Sequence, residues 1–241
     1  MLAVAHSVLG ERGLLRPLFA QRWTIGVPRR PAELIFRFAW HITSIAWLGL
    51  GCLALGASPW QVLAGVALVS GLVIFVLLRG HLAWPIFFAT ALAAGLTGGL
   101  VGAGTLTALS LTAALGLGVA GLLHLRWAAG GGHDMPAAVV PTDAGGRPLL
   151  RPPWWTSLGV AVALLGAAAA MVLRTLGVAV PGLQAALVLA TAAFVLRAVG
   201  DGRHVGLFKR TRDTAFARLD DRYYTPLVVL FAFGGVAALL R

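Results

Sequence analysis

Apolar runs of 17 to 23 residues recur along the chain, separated by Gly/Pro turns or polar loops. A helix rising ~1.5 Å per residue needs runs of that length to cross ~30 Å of hydrocarbon. The pattern predicts seven spanning helices, at residues 34–56, 60–78, 83–101, 105–125, 155–174, 182–199 and 224–240. The first four are joined by the short connections "ASPW", "RGHLAW" and "LVGAGT", where Gly and Pro mark turns. Two polar loops follow, 126–154 and 200–223. The first is rich in Pro and Gly and reads as irregular. The second has few breakers after Gly206 and predicts a short surface helix around Lys209–Leu219. The fold class is an all-α, polytopic transmembrane helix bundle of about seven spans.

The N-terminal stretch "MLAVAHSVLGERGLLRPLF" opens with nine largely apolar residues, too few to span. Two readings stay open: an interfacial helix, or the tail of a span that begins upstream. An internal echo suggests two halves. His6 and His124 each end an apolar run, and each following loop contains "LLRP", at Leu14–Pro17 and Leu149–Pro152. The expected division is an N-terminal membrane unit, 1–103, and a C-terminal four-helix unit, 104–241.

Composition agrees with the pattern: 59% of residues are hydrophobic and only 11% charged. A soluble domain carries about a quarter charged residues. The net charge of +11 does not argue for nucleic acid here. In a polytopic chain basic residues mostly set orientation and meet anionic lipid. Of the 19 Lys and Arg, only Arg174 and Arg241 fall on the side opposite the N-terminus. That asymmetry puts the N-terminus and both long loops in the cytoplasm and the C-terminus outside. All eight Asp and Glu lie on the same basic side. Any site should therefore open toward the cytoplasm. Cys52 is the single cysteine, so no intrachain disulfide forms.

Two stretches carry a family resemblance: "LLHLRWAAGGGHDMPAAVVP" (Leu122–Pro141) and "LRAVGDGRHVGLFKRTRDTAFARLDDRYYTPL" (Leu196–Leu227). The His and Trp before a Gly-Gly turn, the Arg-x-x-Gly-Asp and Gly-x-Phe-Lys-Arg stretches, and the Asp-x-x-Tyr-Tyr-x-Pro-Leu ending resemble domain-of-unknown-function family 3995. The resemblance is to small bacterial membrane proteins, covers about residues 105–241 and implies a four-helix unit in a bacterial inner membrane, with no activity to carry over. The first half is similar to a companion unit that normally has four spans.

Candidate chemistry gathers on the basic side. Arg37, Trp40, His41 and Ser44 share one face of the first predicted span. Ionisable groups inside a span are costly and usually face the bundle interior. Arg37 could bind an anion and His41 handle a proton; equally, Arg37 could snorkel to headgroups and His41 bond a neighbouring helix. Arg197 and Asp201 stand at i, i+4 at the end of the sixth span, with His204 and Asp220 as expected neighbours. Ten of the 22 residues from Asp201 to Arg222 are charged, Lys209 and Arg210 among them. Four acids against six bases favour a folded ionic cap over a plain polybasic patch, with Leu207 and Phe208 dipping into the interface. His124 completes the ligand-binding candidates. His133-Asp134 lacks zinc-site spacing, the His41 and His124 depths differ too much for a shared haem, and no nucleotide or hydrolase motif occurs. No metal or cofactor is expected. The expected partners are the lipid bilayer and an anionic lipid or small anion. Two other readings stay open: a membrane-embedded enzyme on a lipid-like substrate, with His41 and Asp201 as acid and base, and a small transporter.

Overall fold

The computed structural model describes residues 1–24, 26–78, 83–130, 137–143, 145, 147–150 and 152–241. His133 and Asp134, and the basic-side residues Arg79, His81 and Arg151, lie outside these residues. The protein is all-α, with no strand among the described residues beyond an isolated bridge between Thr142 and Pro148. It divides into two compact units, Met1–Val101 and Gly102–Arg241.

Unit 1 opens with a continuous helical run: α1 (Leu2–Gly10), a π-helical turn (Glu11–Leu15) and α2 (Arg16–Ala20). The wide turn has a local cause. Pro17 has no N–H to give to the preceding turn and its ring crowds that turn, so the helix loosens just before it. Three apolar helices follow: α3 (Arg29–Ala54), α4 (Pro59–Leu77) and α5 (Trp84–Thr97). α1 packs on α3, α3 on α4 and α4 on α5. At the α4–α5 seam Phe75 and Phe88 meet Trp84 edge-on, with ring centroids 5.1 and 5.8 Å away.

Unit 2 holds α6 (Ala103–Ala129), α7 (Trp154–Thr175), α8 (Leu183–Val199), the short α9 (Ala215–Leu219) and α10 (Thr225–Leu239). A second π-helical turn, Asp220–Tyr224, joins the last two, again just ahead of a proline, Pro226. The core is largely alanine with Leu117, Met171, Leu187 and Phe231. Small residues let backbones approach closely, which is how helices pack where lipid removes the hydrophobic drive between them. Ser110 and Thr175 add a buried hydroxyl pair across α6 and α7 at 2.8 Å.

All seven predicted spans are helices, with ends mostly within four residues of the expected ones. Five are long and apolar enough to cross a membrane: α3, α4, α6, α7 and the run Ala215–Leu239. Two are shorter. α5 has 14 residues, about 21 Å of helix, because Gly98 and Gly99 turn the chain out. α8 has 17 residues between Gly182 and Gly200, both at positive φ. The expected surface helix over Lys209–Leu219 is confined to Ala215–Leu219, where the Thr214 hydroxyl accepts from the Ala217 N–H and caps it. The residues before it are irregular because Lys209 turns inward.

Candidate functional site

In unit 1 the polar face of α3 meets a matching face of α1. Gly10 makes the approach possible: a methyl group there would overlap the Trp40 indole. Trp40 stacks on the His6 ring at 4.7 Å and donates to the His6 carbonyl oxygen. Arg37 holds the Glu11 carboxylate through both oxygens, at 3.1 and 3.3 Å, and its guanidinium lies over the Phe19 ring. Arg16 reaches the same carboxylate at 3.5 Å.

The remaining groups form a chain. His41 Nε2 lies 3.6 Å from Glu11 Oε2 and His41 Nδ1 lies 3.0 Å from Ser7 Oγ. Ser7 Oγ is 2.7 Å from Ser44 Oγ, which is 3.1 Å from His6 Nδ1. A carboxylate only accepts, so Glu11 favours the His41 tautomer that carries its hydrogen on Nε2. Nδ1 then accepts from Ser7, Ser7 accepts from Ser44, and Ser44 accepts from His6. Ser44, Ser7 and His41 each give one hydrogen and take one, while His6 donates at one end and Glu11 accepts at the other.

Of these residues the sequence pointed to Arg37, His41 and Ser44. It passed over His6, Ser7 and Glu11. Their spacing, with Gly10 between them, puts all four on one helix face. The stretch is too short to span, so its polar face carries no signal of its own in the hydropathy pattern.

In unit 2 the charged loop is folded around Asp220, whose side chain is wholly buried. Asp220 accepts from Arg197 Nη2 at 2.7 Å, Lys209 Nζ at 2.9 Å and the Gly206 N–H at 3.0 Å. Lys209 is equally buried and also donates to Asp221 at 2.5 Å and to the Gly206 carbonyl oxygen at 3.1 Å. A buried lysine needs this degree of pairing. The adjacent Phe208 faces outward, 55% exposed.

The expected Arg197–Asp201 pair is not formed; Arg197 binds Asp220 instead. Gly200, at φ 89°, turns the chain out of α8 before the helical i+4 position is reached. Asp201 folds back on its own backbone, accepting at Oδ1 from the N–H groups of Arg203, His204 and Val205. Partial burial opposes its charge, but those three donors, with His204 beside it, outweigh burial and lower its pKa from 3.8 to about 2. This depressed value means that the carboxylate stabilises the turn fully above its unfolded pKa, and that the contribution is lost as pH falls through about 2. A carboxyl-carbon NMR titration is expected to place the midpoint there. Asp201→Ala is expected to speed hydrogen exchange at residues 203–205; unchanged exchange would remove Asp201 from the turn.

The other candidates stand apart. His204 Nδ1 is 3.5 Å from Asp201 Oδ2. His124 bonds the Ala120 carbonyl oxygen of its own helix and meets Trp127 edge-on, so nothing links it to another candidate. Arg210 is exposed and, among the described residues, its guanidinium has no partner. Among the described residues no group of three His, Cys, Asp or Glu side chains is arranged to hold a metal ion.

No curated protein and no solved structure matches the chain. A family profile does, that of "Protein of unknown function (DUF3995)", over residues 117–237, from the middle of α6 to near the end of α10. That stretch holds the Asp220 ion cluster and the loop that builds it. It is half of the chain, and the protein belongs to the DUF3995 family.

Proposed function

We propose that this protein is a bacterial inner-membrane protein that binds anionic phosphate-bearing headgroups on its cytoplasmic side, through the loop between α8 and α9. One observation carries the reading. The loop buries its lysine and exposes its phenylalanine: Lys209 is 2% exposed and Phe208 55%. A soluble loop gains nothing from that inversion. At a bilayer surface it puts an aromatic anchor among acyl chains and headgroups.

Charge supports the same conclusion. The inward charges compensate one another around Asp220. The exposed ones, Arg203, Arg210, Arg212, Arg218 and Arg222 against Asp201 and Asp213, leave a positive surplus. Arg37 fits the role less well, because Glu11 already holds it bidentately. The orientation follows from the Lys/Arg asymmetry. Against the alternative of acid-base chemistry at Asp201, its depressed pKa leaves it no proton to give near neutral pH and makes it a weak base as well.

A surface arginine contributes roughly 1 kcal/mol to anionic-lipid attraction. The doubly substituted Arg203→Gln/Arg210→Gln protein should therefore lose roughly 10- to 30-fold in affinity for phosphatidylglycerol over phosphatidylcholine. Native mass spectrometry of protein released from mixed nanodiscs reads this as the ratio of retained lipid adducts. An unchanged ratio in that variant and in Phe208→Ser would overturn the reading.

A further inference from the structure

The hydrogen-bond chain between α1 and α3 lies in the other unit and is not used by headgroup binding. It contains three groups in a chemically suggestive order. Ser7 Oγ is within hydrogen-bond distance of His41 Nδ1, at 3.0 Å, and His41 Nε2 faces Glu11 Oε2 at 3.6 Å. A hydroxyl on an imidazole that is itself oriented by a carboxylate is the arrangement that activates a serine. The base–carboxylate spacing is loose, as such contacts often are before substrate arrives.

Three further features favour chemistry over simple helix adhesion. The chain has a direction. Glu11 sets the His41 tautomer, which leaves Nδ1 free to take the Ser7 hydrogen, while Ser44 donates to Ser7 from behind at 2.7 Å. The groups are also reachable: the His41 side chain is 37% exposed and Glu11 23%, whereas Ser44 behind them is buried. Finally, two guanidiniums, Arg37 and Arg16, share the single Glu11 carboxylate. This leaves net positive charge on the α1–α3 seam, one helical turn from the imidazole.

We propose that Ser7 is a nucleophile and His41 its general base in a membrane-embedded acyl-transfer site that takes carboxylic esters of lipid-like alcohols. Ser7 Oγ attacks the ester carbonyl carbon as its hydrogen passes to His41 Nδ1. The carbon–oxygen bond to the alcohol breaks, and the alcohol leaves with that hydrogen. Water then attacks the acyl-serine, giving its proton to His41 Nδ1, and the carboxylic acid departs as Ser7 regains its hydrogen. Glu11 is a positioning residue that holds the imidazole and offsets its transient charge. The exposed Val4 and Val8 of α1 offer acyl chains an apolar flank beside the serine.

The test is covalent capture on the full chain in nanodiscs, using a long-chain alkyl fluorophosphonate. Ser7 Oγ displaces fluoride at phosphorus, and peptide mass spectrometry locates the adduct. The expected result is one adduct on Ser7, absent in Ser7→Ala and forming at least about 100-fold more slowly in His41→Gln, the usual scale of a lost general base. Glu11→Gln should slow it about tenfold or more while thermal unfolding stays near that of the parent. If His41→Gln does not fold, the Glu11→Gln rate decides. An unlabelled Ser7, in a sample where an added serine hydrolase is labelled, overturns the proposal. So does labelling at a rate that neither His41→Gln nor Glu11→Gln alters; the chain would then serve only to hold α1 on α3.

Discussion

Lys209→Met is expected to cost unit 2 about 3–5 kcal/mol, the usual penalty for removing one partner of a buried ion pair. Methionine fills much the same volume, so packing is not the main loss. What changes is charge. Asp220 would stay wholly buried with only Arg197 and the Gly206 N–H to balance it, and Asp221 would lose its closest cation. Denaturant unfolding in detergent measures this. Adding Asp221→Asn should restore part of the loss, because Asp221 is the carboxylate left without its close cation, whereas Asp220 keeps Arg197. Arg212→Ala is the contrast: its pair with Asp221 is 3.4 Å long and Arg212 is 40% exposed, so it should cost less than about 1 kcal/mol. Equal effects at the two positions would mean that Lys209 is only a surface tether.

Gly200→Ala should be comparably severe for a different reason. Gly200 sits at φ 89° and ψ −174°, a region that only glycine enters readily, and a side chain there costs about 1–3 kcal/mol in backbone strain. A methyl group would also strike the Val205 carbonyl oxygen and the Gly206 Cα, both backbone atoms with nowhere to go. To relieve the clash the loop must lift away from α8. That breaks the bonds from the Leu207 and Phe208 N–H groups to the Ala198 and Val199 carbonyl oxygens. The loop around Asp220 would open with it. The expected readout is a lower unfolding midpoint with new protease cleavage within 200–214, while Gly202→Ala, where no atom crowds the added methyl, should be milder. Equal losses at the two glycines would show that the turn tolerates being displaced.

The helices were legible because lipid makes a blunt demand: a long apolar run, closed by Gly, Pro or charge. Their lengths were less so. α5 stops at Thr97 because the chain turns at Gly99, which sits at φ 72°, and composition near residue 100 does not reveal which of several glycines does so. Charge pairing was the least legible. Arg197 and Asp201 look like neighbours in a helix, but the helix ends between them, and the true partner lies 23 residues on. An i, i+4 rule holds only while the helix does. The same limit hid Lys209: its charge suggested the surface, and only the arrival of Asp220 and Asp221 from another element makes burial tolerable. On α3 the polar stripe was visible but its counterpart was not, since the partner residues sit on a stretch too short to read as a span.

The two π-helical turns have a consequence for alignment of the chain with its helical faces. A π-turn takes in about one more residue than an α-turn, so it shifts the phase of the helix by roughly 100° without breaking it. His6 and Ser7 lie before the turn at Glu11–Leu15, and Phe19 lies after it; they meet α3 together only because that phase shift occurs between them. Each extra residue therefore acts as a spacer in angle rather than in length. Loss of a single residue between Glu11 and Leu15, or between Asp220 and Tyr224, would leave the helix intact and its hydropathy unchanged, yet would turn one half of its contacts away from the neighbours they now meet.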